Sequence, residues 1–543
     1  VFVRKDLPSI TGSVLQFACC FYGRRRKILA MEIYLDANAT TPVLPQAREA
    51  ALAVMGELFG NPSSVHGAGL RARALLDSTR ATARRVLGAP TGRLMFTSGA
   101  TEGIQTAVLS VLRAQRDAGQ AIATLLLYGA TDHKAVPEAL KHWNDVLGLG
   151  CTVQAIPVGQ DGRHDLGWLR AHAADAALVC TMAANNETGV ISDLDGIEAA
   201  LAGSPARWLV DGVQALGKLE LKLAQRRIDY APFSGHKLYA PKGIGLLYVR
   251  EGAPFTPLLA GGGQEGAQRA GTENMAGIAA LGAVLSALES GAVFASWNTL
   301  QSHRAQLAEA LREAFPAVVF NAPLETSLPT TLNFSVPELS SKLLLDLFDA
   351  AGVRVSGGSA CGAAKAQPSY VLQAMGLPAW ATESAVRLSF GAADRSDFIA
   401  EACARLRACG AALRAAGPRA AVQPLDEGAD AAALPVEMAA AAVLQALADS
   451  PAPVLVDVRE TYEQALHRLD CVTEAVPLSA LAAALPRWAG LAAETPVIFV
   501  CRSGRRSAQA ARALRRLGHA NAWSVTGGMA LWPQAQAVAE PSA

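Results

Sequence analysis

The sequence predicts an α/β protein with two units, a large one built on a mostly parallel sheet and a small one after it. Three observations carry this. From Ile33 to about Val249, short apolar runs alternate with helical stretches, the pattern of strands joined by crossover helices. The residues best suited to chemistry there (Thr101, His133, Asn186, Asp211 and Lys237) each come after an apolar run, and loops after parallel strands form the ligand crevice. Lastly, an Ala- and Pro-rich stretch with Asp and Glu mixed in, from about Ala415 to Leu434, reads as a linker, and a fresh strand–helix pattern starts beyond it.

Composition narrows the classes. The chain has 543 residues, 51% of them hydrophobic and 17% charged, so large cores are expected. A formal net charge of +1 offers no general argument for nucleic acid. No charge-free apolar run reaches the roughly 18 residues a transmembrane helix needs, so none is predicted. Nine cysteines are scattered without a CxxC pair, which argues against a disulfide framework or a metal site and for a reducing, cytoplasmic compartment. In residues 1–30 an apolar patch, Val14 to Tyr22, precedes a basic run, Arg24 to Lys27, the reverse of a secretory signal. These 30 residues are expected to be a dispensable extension, a tail or a gene-start artefact.

Ile33-Tyr34-Leu35 reads as a short strand, followed by a polar turn to Pro42 and a helix from Pro45 to Leu58. The turn Asn61-Pro62-Ser63-Ser64 is placed to cap a helix from about His66. Leu94 to Thr97 is a strand running into Ser98-Gly99-Ala100-Thr101-Glu102-Gly103 and a helix to about Ala114. Such a small-residue turn at a helix N-terminus suits a phosphate, although many bind nothing. Ala121 to Leu127 is a further strand, ending near His133, which reads as a group lying against an aromatic cofactor, as a catalytic acid–base, or as an exposed helix-start histidine. Ala177 to Cys180 leads to Asn185-Asn186-Glu187-Thr188-Gly189, two amides that suit a carboxylate or a ring oxygen, or a plain turn. Trp208-Leu209-Val210 ends at Asp211 with Gln214 just beyond, again a crevice position or a turn.

The lysine stretch Phe233-Ser234-Gly235-His236-Lys237 precedes an apolar run, Ile244 to Val249. If Lys237 carries a pyridoxal 5'-phosphate (PLP) Schiff base, Ser234 and His236 are placed to reach the phosphate and Asp211 to pair with the pyridine nitrogen. The polar loop 261–274 is a linker or a functional loop ahead of a helix from Met275 to Leu288. From about Ser296, longer helices with fewer strands indicate a smaller lobe. Cys361 stands alone in a Gly/Ser/Ala-rich loop, where a thiol can swing and attack. Arg387 interrupts an apolar strand and suits an amino-acid carboxylate or a structural ion pair.

Taken together, residues 33–415 resemble a cysteine desulfurase of the class V aminotransferase family. The matching strings are Tyr34 to Pro42, Asn61 to His66, Thr97 to Glu102, Ala184 to Gly189, the lysine stretch, Arg269 to Asn274, and Ser359-Ala360-Cys361 with Pro368-Ser369. The resemblance implies a PLP-dependent transferase of fold type I, with a large parallel-sheet domain and a smaller α/β domain. It makes Lys237 the Schiff-base lysine, His133 the ring-stacking histidine, Asp211 the pyridine partner and Gln214 the ring-hydroxyl partner. Asn186 becomes a contact to cofactor or substrate. Ala100, Thr101, Ser234 and His236 fall at the phosphate. Thr272 would reach the neighbouring subunit's phosphate, implying a homodimer. Arg387 would take the carboxylate of L-cysteine, and Cys361 would take its sulfur as a persulfide. Gly362-Ala363-Ala364-Lys365 replaces a more hydroxyl-rich family run, a departure that bears on the loop's dynamics. Alternatives on the same core are a selenocysteine lyase or other PLP β-lyase, and a sulfur carrier with an inactive PLP site.

In the second unit, Val454 to Val456 is a buried strand ending in Asp457-Val458-Arg459-Glu460, and Pro496 to Val500 is another, running into Cys501-Arg502-Ser503-Gly504-Arg505-Arg506-Ser507. A cysteine before a helix N-terminus, among three arginines, is placed to be stabilised as a thiolate. Cys-x5-Ser also fits a phosphatase loop. Asp457 to Glu460 and the closing Thr526-Gly527-Gly528-Met529-Ala530-Leu531-Trp532 resemble a single rhodanese domain instead, which makes Cys501 a persulfide carrier. The expected organisation is therefore 1–30 extension, 31–415 desulfurase module, 416–434 linker and 435–538 rhodanese-like domain. The final acceptor, a protein or a small thiol, is left open among iron–sulfur cluster assembly, tRNA thiolation, cofactor sulfuration and cyanide detoxification.

Overall fold

The computed structural model describes residues 32–118, 123–357, 368–417, 436–447 and 452–532. Cys361, the extension, most of the expected linker and residues 533–538 lie outside them.

The large domain runs β1 (Ile33–Tyr34), α1 (Pro45–Gly56), α2 (Gly67–Leu87), β2 (Arg93–Thr97), α3 (Ala100–Asp117), β3 (Leu125–Gly129), α4 (Ala135–Leu147), β4 (Thr152–Ile156), α5 (Leu166–His172), β5 (Ala176–Met182), α6 (Leu194–Ala200), β6 (Arg207–Asp211), β7 (Tyr230–Ser234), β8 (Gly245–Val249) and α7 (Met275–Ser290). Its seven-stranded sheet has the order β2-β8-β7-β6-β5-β3-β4. Only β8 runs against its neighbours β2 and β7. The cause lies in the chain. The link from β7 to β8 is the short lysine turn, and a parallel return needs a crossover of about a dozen residues or more. Strands β5 and β6 are apolar and buried almost throughout, as a sheet covered on both faces requires.

The smaller lobe comprises α8 (Trp297–Ala314), β9 (Val319–Phe320), β10 (Thr331–Ser335), α9 (Ser341–Ala350), β11 (Val353–Arg354), β12 (Ser356–Gly357), α10 (Tyr370–Ala374), α11 (Ala379–Ser384), β13 (Val386–Ser389) and α12 (Ser396–Ala415). An antiparallel sheet β12-β13-β10-β9 packs under α8 and α12 around Leu332, Phe334, Phe348 and Phe390. Strand β1 pairs with β11, which ties the start of the described chain to this lobe.

The second unit comprises β14 (Glu437–Met438), α13 (Ala440–Ala446), β15 (Val454–Asp457), α14 (Thr461–Leu466), β16 (Glu474–Ala475), α15 (Leu481–Ala489), β17 (Val497–Val500), α16 (Arg505–Arg516) and β18 (Ala522–Val525). Its sheet, β14-β18-β17-β15-β16, is parallel throughout. The unit is seated on the smaller lobe: Tyr462 of α14 is buried in that lobe's core, with Leu466 packed beside it.

Two local expectations are corrected. Of the strand expected at Ala121–Leu127, Ala121 and Ile122 lie outside the described residues, and among the described residues the strand is Leu125–Gly129. Helix α2 begins at Gly67 and is capped by Nδ1 of His66, which accepts from the Gly69 amide at 3.4 Å. The 61–64 turn caps nothing in α2; Asn61 closes on its own Ser63 amide. Elsewhere boundaries move by a few residues: α1 stops at Gly56, α3 continues to Asp117 and α7 continues to Ser290. No helix among the described residues is long and apolar enough to cross a membrane.

Candidate active site

Parallel strands bring Thr97, Gly129, Met182, Asp211 and Ser234 to one edge of the large sheet, and the loops beyond them form the site. Lys237 stands in a 3₁₀ turn directly after β7. The segment after β1 straps this turn. Nζ of Lys237 donates to the carbonyls of Asn38 at 2.5 Å and Ala39 at 2.7 Å. The Thr41 amide and hydroxyl both donate to the His236 carbonyl, and Thr40 Oγ1 lies 3.2 Å from Nδ1 of His236. Gln214 donates from Nε2 to the Asn38 carbonyl and accepts at Oε1 from Lys218. Lys218 and the strap thus fix the Gln214 amide, a constraint no local motif revealed.

Asp211 ends β6 and accepts from the Val213 amide at 2.9 Å. Burial raises its carboxyl above the usual range, against the lowering pull of that amide, His133 and Lys237. His133 caps its own loop by accepting from the Ala135 amide. Burial and the charge of Lys237 hold its imidazole below the ordinary value despite Asp211. His133, Asp211 and Lys237 are therefore close enough to feel one another's charge, as a single ligand site demands.

Gly99 and Ala100 open α3, with Thr101 exposed in its first turn and Ser234 buried across the turn. Gly245 is required here: a Cβ on it would lie 2.7 Å from Cα of Gly99, so any side chain would push β8 off the turn. Burial and the charges of Lys237 and Lys242 push His236 down to about 4, so it stands neutral before an anion arrives. Arg269 pairs with Glu102, whose Oε2 also accepts from the Ser98 amide at 2.7 Å. That pair anchors the 261–274 loop beside the Ser98–Ala100 turn, and Thr272 is exposed.

Arg387, on β13, is 1% exposed. It donates to Oδ1 of Asp36 at 2.6 Å, to the Asn186 carbonyl at 3.0 Å and to Ser356 Oγ at 3.2 Å. Of the two readings of this arginine, the ion pair is the one the structure shows. Asn185, rather than pointing into the site, builds the turn by accepting from the Glu187 and Thr188 amides. Asn186 keeps Oδ1 buried with no partner, as does Asn38, among the described residues. Two orphaned acceptors, a buried carboxylate with one donor, a lysine and a helix N-terminus together fit PLP, a polar aromatic ring with a phosphate arm.

Sequence reasoning missed Glu187. It is 1% exposed and accepts from Ser369 Oγ at 2.6 Å, and burial pushes its carboxyl up to about 7. The Glu in Asn-Asn-Glu-Thr-Gly was visible, but its partner lies 182 residues away.

In the second unit, Cys501 stands directly after β17 and is fully buried. Its Sγ receives the amides of Gly504 at 3.2 Å and Ser507 at 3.4 Å and lies 3.3 Å from Ser507 Oγ. Gly504 turns the chain into α16 at φ +92, a conformation that favours glycine. The loop thus aims backbone donors at sulfur. Its arginines are not all free for an anion: Arg506 is held by Glu463 at 2.5 and 2.8 Å, and Arg502 by Asp346 at 2.5 Å and Asp349 at 2.9 Å.

Residues 33–399 match the aminotransferase class-V family and residues 440–535 match the rhodanese-like domain. The chain is 37% identical over 360 residues to a cysteine desulfurase of Cereibacter sphaeroides, covering 66% of this chain and 90% of the relative. It is 35% identical over 362 residues to the cysteine desulfurase NifS of Azotobacter vinelandii, covering 66% and 87%. Among solved structures, a NifS-like protein aligns at a TM-score of 0.62 with 30% identity, over 71% of this chain and all of that one. DndA from Streptomyces lividans aligns at 0.55 with 32% identity, over 66% and 99%.

Proposed function

Because the chain belongs to the class-V aminotransferases, among the PLP-dependent cysteine desulfurases, and ends in a rhodanese-like sulfurtransferase domain, we propose that it is a sulfur relay: Cys361 takes sulfur from L-cysteine and Cys501 receives it next. The observation that carries this is the Cys501 loop, a thiol with two backbone donors aimed at it, seated on the lobe whose β12 ends four residues before Cys361 in the sequence.

When bound, PLP withdraws electrons from the substrate α-carbon and so makes its proton acidic. Asp211 would accept a hydrogen bond from the ring nitrogen, and a cationic ring would favour the ionised form of this carboxyl, which burial disfavours. Thr101, Ser234 and His236 would hold the phosphate with the amides of Ala100 and its neighbours. His133 would face the ring, and Gln214 and Asn186 would offer it polar contacts. Arg387 exchanges Asp36 for the carboxylate of L-cysteine. Nζ of Lys237 accepts the α-proton. Sγ of Cys361, as the thiolate, attacks the substrate sulfur; the carbon–sulfur bond breaks with its electron pair left on the substrate side, the β-carbon takes up a proton, Lys237 returns the α-proton, and alanine leaves. Sγ of Cys501 then attacks the outer sulfur of the Cys361 persulfide and returns Cys361 as a thiolate. A protein acceptor or a small thiol takes the sulfur from Cys501; iron–sulfur cluster assembly is one such destination.

Two further features belong to this reading. The protein works as a homodimer, which the exposure of Thr272 and of Leu52, Met55 and Phe59 supports; sedimentation at the monomer mass would contradict it. It works in the cytoplasm, which the six free cysteines among the described residues support. Changing Cys501 to Ser tests the order of the relay. Alanine formation with a small-thiol acceptor should persist, and its collapse would reverse the order.

A further inference from the structure

The mouth of the Cys501 loop does not open on bulk solvent alone. It faces α9 of the desulfurase lobe, where Asp346 and Asp349 stand about one turn apart. Arg502 gives Nη1 to Asp346 at 2.5 Å and Nε to Asp349 at 2.9 Å. Arg506 reaches Asp346 at 3.9 Å while it is held by buried Glu463. Only Arg505 of the three loop arginines is exposed. The contact is more than a grazing one, because Tyr462 and Leu466 of the adjoining α14 pack into the same lobe's core. Three carboxylates, two from the other module, therefore answer the positive charge that the loop brings to Cys501.

We propose that Asp346 and Asp349 form a charge gate over Cys501, occupying the guanidinium groups that would otherwise hold a small anionic sulfur donor and so making the docked site discriminate against such donors, thiosulfate being the simplest. The gate sets which sulfur reaches Cys501. A dianion arriving from solvent meets carboxylates already paired with the arginines, whereas a sulfur donor covalently carried on the protein needs no free guanidinium to hold it. The inference rests on the reading of Cys501 as the sulfur-accepting thiol, but its test does not use sulfur transfer, so the two can fail separately.

The probes are iodoacetate, an anion, and iodoacetamide, its neutral counterpart, applied to the full-length holoenzyme. Modification of the Cys501 peptide is followed by mass spectrometry, and the iodoacetate-to-iodoacetamide rate ratio is divided by that of 2-mercaptoethanol. In the wild type this normalised ratio is expected to be about one or lower. In Asp346→Asn/Asp349→Asn it should rise by roughly five- to tenfold, as two negative charges near the sulfur are removed. Cofactor absorbance and alanine formation report whether the first module remains intact, since α9 carries none of its machinery. If the double variant does not fold, Asp349→Asn alone should show a smaller rise, and the wild-type ratio still decides. A wild-type ratio well above one, an unchanged ratio in the variants, or a Cys501 that reacts with neither reagent in any of the proteins would overturn the gate. Cys361 persulfide without Cys501 persulfide, alongside a normal rise in the ratio, would instead remove the relay and keep the gate.

Discussion

Replacing Arg387 with Lys should weaken L-cysteine binding far more than it slows turnover. The arginine is buried, and its fork already spans Asp36, the Asn186 carbonyl and Ser356, so the groove around it is shaped for a planar, two-pronged donor. Lysine preserves the charge and can still meet Asp36, so the half-buried carboxylate keeps a cationic partner. A lysine cannot, however, hold a ligand carboxylate with two parallel N–H donors. The difference is about one charge-assisted hydrogen bond, about 1.5–3 kcal/mol. At 1.36 kcal/mol per tenfold, KM for L-cysteine should rise about 10- to 150-fold. The carboxylate does not change during the reaction, so its binding is nearly uniform and kcat should fall only a few-fold. Alanine formation across a range of L-cysteine concentrations separates the two. A KM within about twofold of the wild type, or a large loss confined to kcat, would refute the assignment.

Glu187→Gln should flatten a pH dependence. Burial raises the folded-state carboxyl to about 7, so the stability it contributes is complete below the unfolded value near 4.3 and is lost as pH rises through about 7. The displacement corresponds to about 4 kcal/mol, and urea midpoints of the first module between about pH 5 and 8 should fall in the wild type and stay level in the variant. His236 should titrate near 4 in cofactor-free protein, so its neutral form stabilises the fold above about 6.5 and that contribution is lost as pH falls through about 4. Its imidazole NMR signals should then shift to a higher titration midpoint on adding inorganic phosphate, and an unmoved midpoint would remove His236 from the phosphate site. Ser507→Ala deletes the hydroxyl beside Cys501 Sγ and should slow sulfur transfer from Cys501 to cyanide by about tenfold, with alanine formation unchanged.

Strand-end residues were the readable part of the site. Asp211, His133 and Lys237 are recognisable because a parallel sheet gathers the residues just past its strands at one edge, and that periodicity is local. The Cys501 loop was legible for the same reason: an apolar strand, a cysteine and a helix start are contiguous. Less legible were pairings across long separations. Asp36 holds Arg387 across 351 residues, and Ser369 reaches Glu187 across 182, with nothing in either neighbourhood to announce the partner. Arg502 read as an anion-binding arginine because its ion partners belong to another module. The far end of β3 shows a different limit: the apolar run ends at Leu127, while pairing with β4 carries the strand on to Gly129.

The relay itself is tested most directly by locating persulfide. The purified protein is incubated with L-cysteine and digested, and the peptides containing Cys361 and Cys501 are examined by mass spectrometry. The account predicts persulfide on both, with the Cys501 signal lost in a Cys361→Ala variant. Persulfide on Cys361 alone, or a Cys501 persulfide that survives that substitution, would contradict the relay and make the second domain a recipient of sulfur from another donor.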